Sequence, residues 1–190
     1  MIPACFFINN IYTVFLKIIL NTTHNNFVFY GIMPKGVFMN FTIDNFAKQK
    51  IAYIRAIGAY GSQNKIAMEK LKTWANKNNL FDDTTVIFGI ARDNPNTTSS
   101  KDCRYDVCLA VSDDFDTSSH AEINAGYIDD GKYAVFILPH TVKAISEAWK
   151  NIFDEIEKSE YKIDISRPVL ERYKQKNIKK HLCEICVAVL

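Results

Sequence analysis

Arg167-Pro168-Val169-Leu170-Glu171-Arg172-Tyr173, followed ten residues later by Cys183-Glu184-Ile185-Cys186-Val187-Ala188-Val189, reads as the closing pair of strands of a sheet. Pro168 opens an extended run in which Val169, Glu171 and Tyr173 share one face, because strand side chains alternate. Arg172 points to the other face and cannot serve Glu171. A carboxylate set between an apolar residue and a tyrosine on an inward face is costly unless something pairs with it. An internal base or a ligand has to satisfy Glu171.

Outward from these strands, the chain reads as strand, helix, strand, strand, twice over. Lys50 to Ile57 alternates as a strand and ends at Gly58-Ala59-Tyr60-Gly61. A helix over Asn64 to Asn76 carries Ala67, Leu71, Trp74 and Ala75 on one stripe. Strands over Thr84 to Ala91 and Arg104 to Val111 follow. The second half has a strand over Lys132 to Leu138 and a helix over Thr141 to Glu157, with Val142, Ile145, Trp149, Ile152 and Ile156 on one side. The pair that opened this reading completes it. Trp74 and Trp149 are expected at comparable places in the two helices. A duplicated unit of this kind predicts an α+β fold: tandem strand-helix-strand-strand repeats in one antiparallel sheet, two helices packed on it, and a ligand groove between the repeats.

The chain has 190 residues, 48% of them hydrophobic, and a net charge of +2. Residues 1–38 hold Lys17 and Lys35 and no acid, so residues 39–190 are electrically balanced. A balanced body lacks the concentrated cationic footprint that nucleic acid requires, so no direct nucleic-acid contact is expected. The basic cluster Lys174, Lys176, Lys179, Lys180 reads as a solvated loop. Residues 1–38 are expected to be an N-terminal extension outside the fold, with the natural start at Met39 and the domain over residues 39–190. Their apolar run, Phe6 to Leu20, is interrupted by Asn9-Asn10 and Lys17 and is too short to span a bilayer. A signal peptide is weakly supported, a peripheral anchor ranks behind, and no membrane partner is expected.

Cys103 and Cys108, in one expected strand, and Cys183 and Cys186, in another, should point to opposite faces within each pair. Neither pair resembles a zinc knuckle turn, and buried free thiols in a reducing cytoplasm fit better. No metal site is expected. His120, His140 and His181 stand apart from other ligating groups and read as surface or loop. No phosphate-binding glycine loop and no Ser-His-Asp arrangement appears. Asp106 is expected to pair with Arg104 or to cap a loop.

Several separated stretches together resemble one family. They are Gly58-Ala59-Tyr60, Trp74-Ala75-Asn76-Lys77-Asn78-Asn79, Arg104-Tyr105-Asp106, Gly131-Lys132-Tyr133-Ala134-Val135-Phe136, Arg167-Pro168 to Tyr173, and Cys183-Glu184-Ile185. In that order they resemble the gyrase-inhibitor-like (GyrI-like) small-molecule-binding domain, also the effector-binding domain of AraC-type and multidrug-sensing regulators. The likeness covers roughly Met39 to Leu190 and is strongest to the free-standing DNA gyrase inhibitor branch. The Gly-Pro pair usual after the first strand is Gly58-Ala59 here.

The resemblance implies a groove between repeats where an acid matching Glu171 meets cationic or amphipathic ligands. Tyr173 and Glu184 would be its neighbours, and Tyr60, Tyr105 and Trp149 its walls. It implies no cofactor and no catalytic residue. Three roles follow: binding of a small amphipathic or cationic compound, action on DNA gyrase, and hydrolysis of reactive ring compounds with Glu171 as general acid or base. Binding ranks first, because a lone acid is thin support for an enzyme.

Overall fold

The computed structural model describes residues 40–190, so the expected extension over residues 1–38 lies outside the described residues. The strands are β1 (Thr42–Phe46), β2 (Gln49–Ile57), β3 (Val86–Ala91), β4 (Arg104–Ala110), β5 (Asn124–Ile128), β6 (Gly131–Pro139), β7 (Leu170–Lys174) and β8 (Leu182–Ala188). Helix α1 (Ser62–Lys77) lies between β2 and β3, and α2 (Val142–Glu157) between β6 and β7. A single turn, α3 (Gln175–Ile178), joins β7 to β8.

All eight strands form one antiparallel sheet in the order β1-β6-β8-β7-β3-β4-β2-β5. From the other end the order reads β5-β2-β4-β3-β7-β8-β6-β1, which matches once β1, β6, β8 and β7 are exchanged for β5, β2, β4 and β3, so the halves β2-α1-β3-β4 and β6-α2-β7-β8 are related by an approximate two-fold axis at the central β3–β7 pair. The α+β duplication expected from the sequence is therefore present. The two outermost strands were not foreseen, and each crosses over: β1 precedes β2 in the chain but pairs with β6, and β5 precedes β6 but pairs with β2.

Those crossovers force the sheet to curl. In a flat sheet β1 and β2, six spacings apart, would be roughly 29 Å from each other. Only Ala47 and Lys48 join them, a link that spans about 10 Å. Asp129 and Asp130 make the same short connection from β5 to β6. The inner face closes on one core to which all eight strands contribute, among them Phe46, Ile51, Phe88, Cys108, Ile128, Tyr133, Leu170 and Cys186. Gly131, after the second link, has φ +124°, and a Cβ there would stand 2.4 Å from the Arg167 guanidinium. Only glycine suits that turn.

Both helices cover the outer face. α1 buries Ala67, Leu71, Trp74 and Ala75 against β2 and β4, and α2 buries Ala148, Trp149, Ile152, Phe153 and Ile156 against β6 and β8. Full burial of Leu71, Ile152 and Ile156 contributes about 1.5–3 kcal/mol each. Thr141 caps α2, its hydroxyl accepting the Ala144 N–H at 3.2 Å. The two tryptophans are not equivalent, contrary to the sequence reading. Trp149 stands mid-helix, whereas Trp74 is in the last turn of α1 and donates to His120 Nδ1 at 3.3 Å. The expected basic loop is the turn α3 and its flanks, with Lys174 paired to Glu184 and Lys179 to Asp83.

Candidate functional site

Tyr173 packs against the clusters of both helices, which places it at the seam between the two halves. Two residues back along β7, Glu171 emerges on the same outer face and is only 6% exposed. Its Oε2 accepts the Tyr105 hydroxyl at 2.6 Å and the Tyr173 hydroxyl at 2.9 Å, and its Oε1 accepts the Trp149 indole N–H at 3.2 Å. Among the described residues, no lysine or arginine forms an ion pair with it. Hydrogen bonds to a charged group contribute about 1.5–3 kcal/mol each, against a desolvation cost of several kcal/mol for the ion. The carboxylate is thus solvated by neutral donors and left without a counterion.

Each donor arrives from a different element. Trp149 comes from α2 and Tyr173 from β7 itself. Tyr105 lies on β4, two strands away, and reaches Glu171 across β3. The β3 residue facing Glu171 in register is Gly89, where a Cβ would lie 2.0 Å from Tyr105 Oη and 3.0 Å from Glu171 Oε2. A glycine inside a strand marks a close approach, and Val86-Ile87-Phe88-Gly89-Ile90 carried that signal unread.

Tyr60 braces Tyr105 with its ring edge-on at 6.1 Å, while its hydroxyl is engaged by the backbone of Asp93 and Arg104. His140, in the bend after β6 and exposed as the sequence leads one to expect, rests its imidazole against the Tyr173 ring at 5.4 Å. Partial burial, then Lys72 and His181, hold its imidazole below the usual histidine range. The Tyr105 and Tyr173 phenols are pushed well above the ordinary value, first by burial and then by Glu171, so both stay protonated as donors. Burial, reinforced by Glu171 and Glu184, pushes the Cys183 thiol up to about 12. Cys103, Cys108, Cys183 and Cys186 are all buried free thiols.

Glu184 is not a neighbour of this niche. It faces Arg172 in register, on the inner face of the sheet, where Arg172 Nε donates to it and Lys174 and Asn177 reach it at 3.2 and 3.0 Å. Alternation places consecutive β7 residues on opposite faces, so Arg172 goes to Glu184 while Glu171 goes to the aromatics. Asp106, also on the inner face and fully buried, pairs with Arg55 (2.6 Å) and Arg92 (2.7 Å) rather than Arg104, which holds Asp93 instead. Of the six expected ligand contacts, the structure brings Glu171, Tyr173, Tyr105 and Trp149 into direct contact, sets Tyr60 behind Tyr105, and puts Glu184 elsewhere.

A duplicated strand-helix-strand-strand unit on a curled sheet, with one acid in an aromatic niche at the seam, defines a two-repeat small-molecule-binding module. The chain belongs to the GyrI-like small molecule binding domain family, whose model matches residues 39–190. It is 43% identical over 152 residues to the SPbeta prophage-derived protein YosT of Bacillus subtilis, a proposed transcriptional regulator; the match covers 80% of this chain and 99% of YosT. It is 26% identical to the DNA gyrase inhibitor of Salmonella typhimurium, over 71% of this chain and 86% of that protein. Among solved structures, SAV2435 bound to tetraphenylphosphonium shares the fold, with a TM-score of 0.50, 15% identity, and coverage of 80% of this chain and 94% of that one.

Proposed function

We propose that this chain takes up a lipophilic or amphipathic compound carrying one positive charge, with Glu171 as the counterion and the aromatic rings as walls. The observation that carries the reading is a nearly buried carboxylate with three neutral donors and no cation of its own. A guest charge placed there would meet a carboxylate in a weakly screening environment, and faces of Tyr or Trp add about 0.5–2 kcal/mol of cation–π attraction each. That SAV2435, of the same fold, is known with tetraphenylphosphonium bound supports the choice of ligand class. All three contacts on Glu171 are donors, and no second acid or histidine among the described residues bonds to it, which favours binding over hydrolysis.

Calorimetric titration with tetraphenylphosphonium and with neutral triphenylphosphine oxide tests the reading. Saturable one-to-one binding of the cation, at least tenfold tighter than the neutral compound, is expected. Equal affinity for the two, or none for the cation, overturns it.

A protein-directed role, action on DNA gyrase, is favoured by the 26% identity to the Salmonella gyrase inhibitor over most of its length. Purified gyrase should then lose supercoiling activity as this protein is added, and unchanged activity at saturating protein dismisses the role. Action on gyrase would place this protein in the cytoplasm. Among the described residues, no helix is long and apolar enough to cross a membrane.

A further inference from the structure

We infer that Gly89 is a positioning residue of the ligand site, which acts by leaving open the path along which Tyr105 reaches Glu171. The inference rests on the reading of Glu171 as the ligand-binding acid. The two halves supply the first argument. Gly89 precedes Ile90, which faces Asp106, just as Glu171 precedes Arg172, which faces Glu184. The glycine and the acid are therefore equivalent positions, and they face each other across β3 and β7, so the approximate two-fold axis passes between them. Directly opposed residues hold their Cβ atoms about 4.5–5.5 Å apart. Two acids there would share one desolvated niche and repel each other. One half keeps the carboxylate and the other gives up its side chain.

The second argument is that backbone conformation does not demand glycine here. Gly58, Gly61 and Gly131 have positive φ, whereas Gly89 does not. Alanine would suit the backbone, and a glycine inside a strand carries an entropic cost. What excludes a side chain is space: a Cβ at this position would lie 2.0 Å from Tyr105 Oη and 2.9 Å from its Cζ. The ring cannot retreat into the sheet beneath it. It would have to lift toward the helices, into the groove, and abandon Glu171.

The test uses Gly89→Ala, Tyr105→Phe and the double variant, with tetraphenylphosphonium affinity and NMR titration of ring-labelled tyrosine as readouts. In the wild type the Tyr105 phenol titrates far above the usual tyrosine range. In Gly89→Ala, parted from Glu171, it should titrate lower than in the wild type, and cation affinity should fall at least tenfold. In the Tyr105→Phe background the same glycine substitution should change affinity less than threefold, because the obstructing oxygen is gone and only small shifts of a ring carbon and of Glu171 Oε2, at 2.9 and 3.0 Å from the added Cβ, remain. An unaltered Tyr105 titration in Gly89→Ala, or an equal affinity loss in both backgrounds, overturns the inference. Should Gly89→Ala fail to fold, the double variant is expected to fold, and its failure would also overturn the inference. If the wild type binds no cation, the ligand reading falls while the Tyr105 titration still decides the role of Gly89.

Discussion

Glu171→Gln separates a ligand acid from a structural one, because the two predict opposite changes in the unliganded protein. The amide keeps the size of the carboxylate and removes its charge. The amide has a single acceptor oxygen: turned toward the Trp149 N–H it keeps that bond, while its NH2 meets the Tyr105 and Tyr173 hydroxyls, which rotate to accept, and exchanging three charge-assisted bonds for neutral ones loses about 1 kcal/mol each, about 3 kcal/mol together. Against this, a side chain 6% exposed and without a counterion no longer carries a charge whose burial costs several kcal/mol. The balance predicts a melting temperature equal to that of the wild type or a few degrees higher. Binding of a cation should collapse. A unit pair about 4 Å apart at an effective dielectric near 20 attracts by about 4 kcal/mol, and after desolvation roughly 2–4 kcal/mol remains, a loss of about 30- to 1000-fold in affinity. Differential scanning fluorimetry and calorimetric titration measure the two arms. A melting temperature lowered by more than about 8 °C, or a cation affinity altered less than threefold, would refute the reasoning.

Asp106→Ala should destabilise by about 3 kcal/mol in urea melts, since it strands the Arg55 and Arg92 guanidiniums on a site where Asp106 is fully buried; a loss below 1 kcal/mol would mean that both arginines rehydrate freely. Ser166 and Arg167 hold the Asp164 carboxyl down at about 2, so its contribution is present above about pH 4 and fades as pH falls toward 2. The melting-temperature gap between wild type and Asp164→Asn should therefore be constant from pH 5 to 8 and close near pH 2; a gap that persists there contradicts the assignment. Tyr105 and Tyr173 bind their protons more tightly folded than unfolded, so their share of stability is complete below pH 10 and is lost as pH rises further. Tyr105→Phe should accordingly blunt the alkaline fall in melting temperature between pH 10 and 12, and an identical fall in both proteins would contradict the raised phenols.

The helices and inner strands were legible in the chain because burial imposes a period on them. Ala67, Leu71, Trp74 and Ala75 mark one turn after another of α1, and the alternation around Glu171 correctly sent it away from Arg172. The outer strands left no such mark. β1 reads Thr-Ile-Asp-Asn-Phe and β5 reads Asn-Ala-Gly-Tyr-Ile, because an edge pairs on one side only and is spared a continuous apolar face. Their exchange between halves depends on pairings 71 to 93 residues apart, which no local pattern encodes. The same limit hid the partners of Asp106. Arg104 is two residues away on the same strand, but Arg55 sits directly across on β2, and proximity in space outweighed proximity in sequence. Tyr105, Trp149 and Tyr173 were legible as aromatics near an acid, yet only the β3–β7 pairing of Gly89 with Glu171, and the reach of the Tyr105 ring across β3, show that Tyr105 needs a glycine beneath it.

Which of the acids awaits a guest follows from how the duplication treats each one. Asp106 and Glu184 hold equivalent places on the last strand of each half, and both are clamped from the preceding segment, by Arg92 in one case and Lys174 in the other. An ion pair that serves the fold is useful in both halves and appears in both. Glu171 has no such twin, for its counterpart is bare glycine and its contacts are three uncharged donors drawn from α2, β4 and β7. A carboxylate needed to hold the sheet together would be served by the arrangement already built twice on the inner face. One that departs from the repeat, at the seam and on the axis, burdens the unliganded protein, and under the proposed function it would gain its partner when a positive charge enters. The break in symmetry therefore supports the proposed ligand site more sharply than burial or aromatic content does.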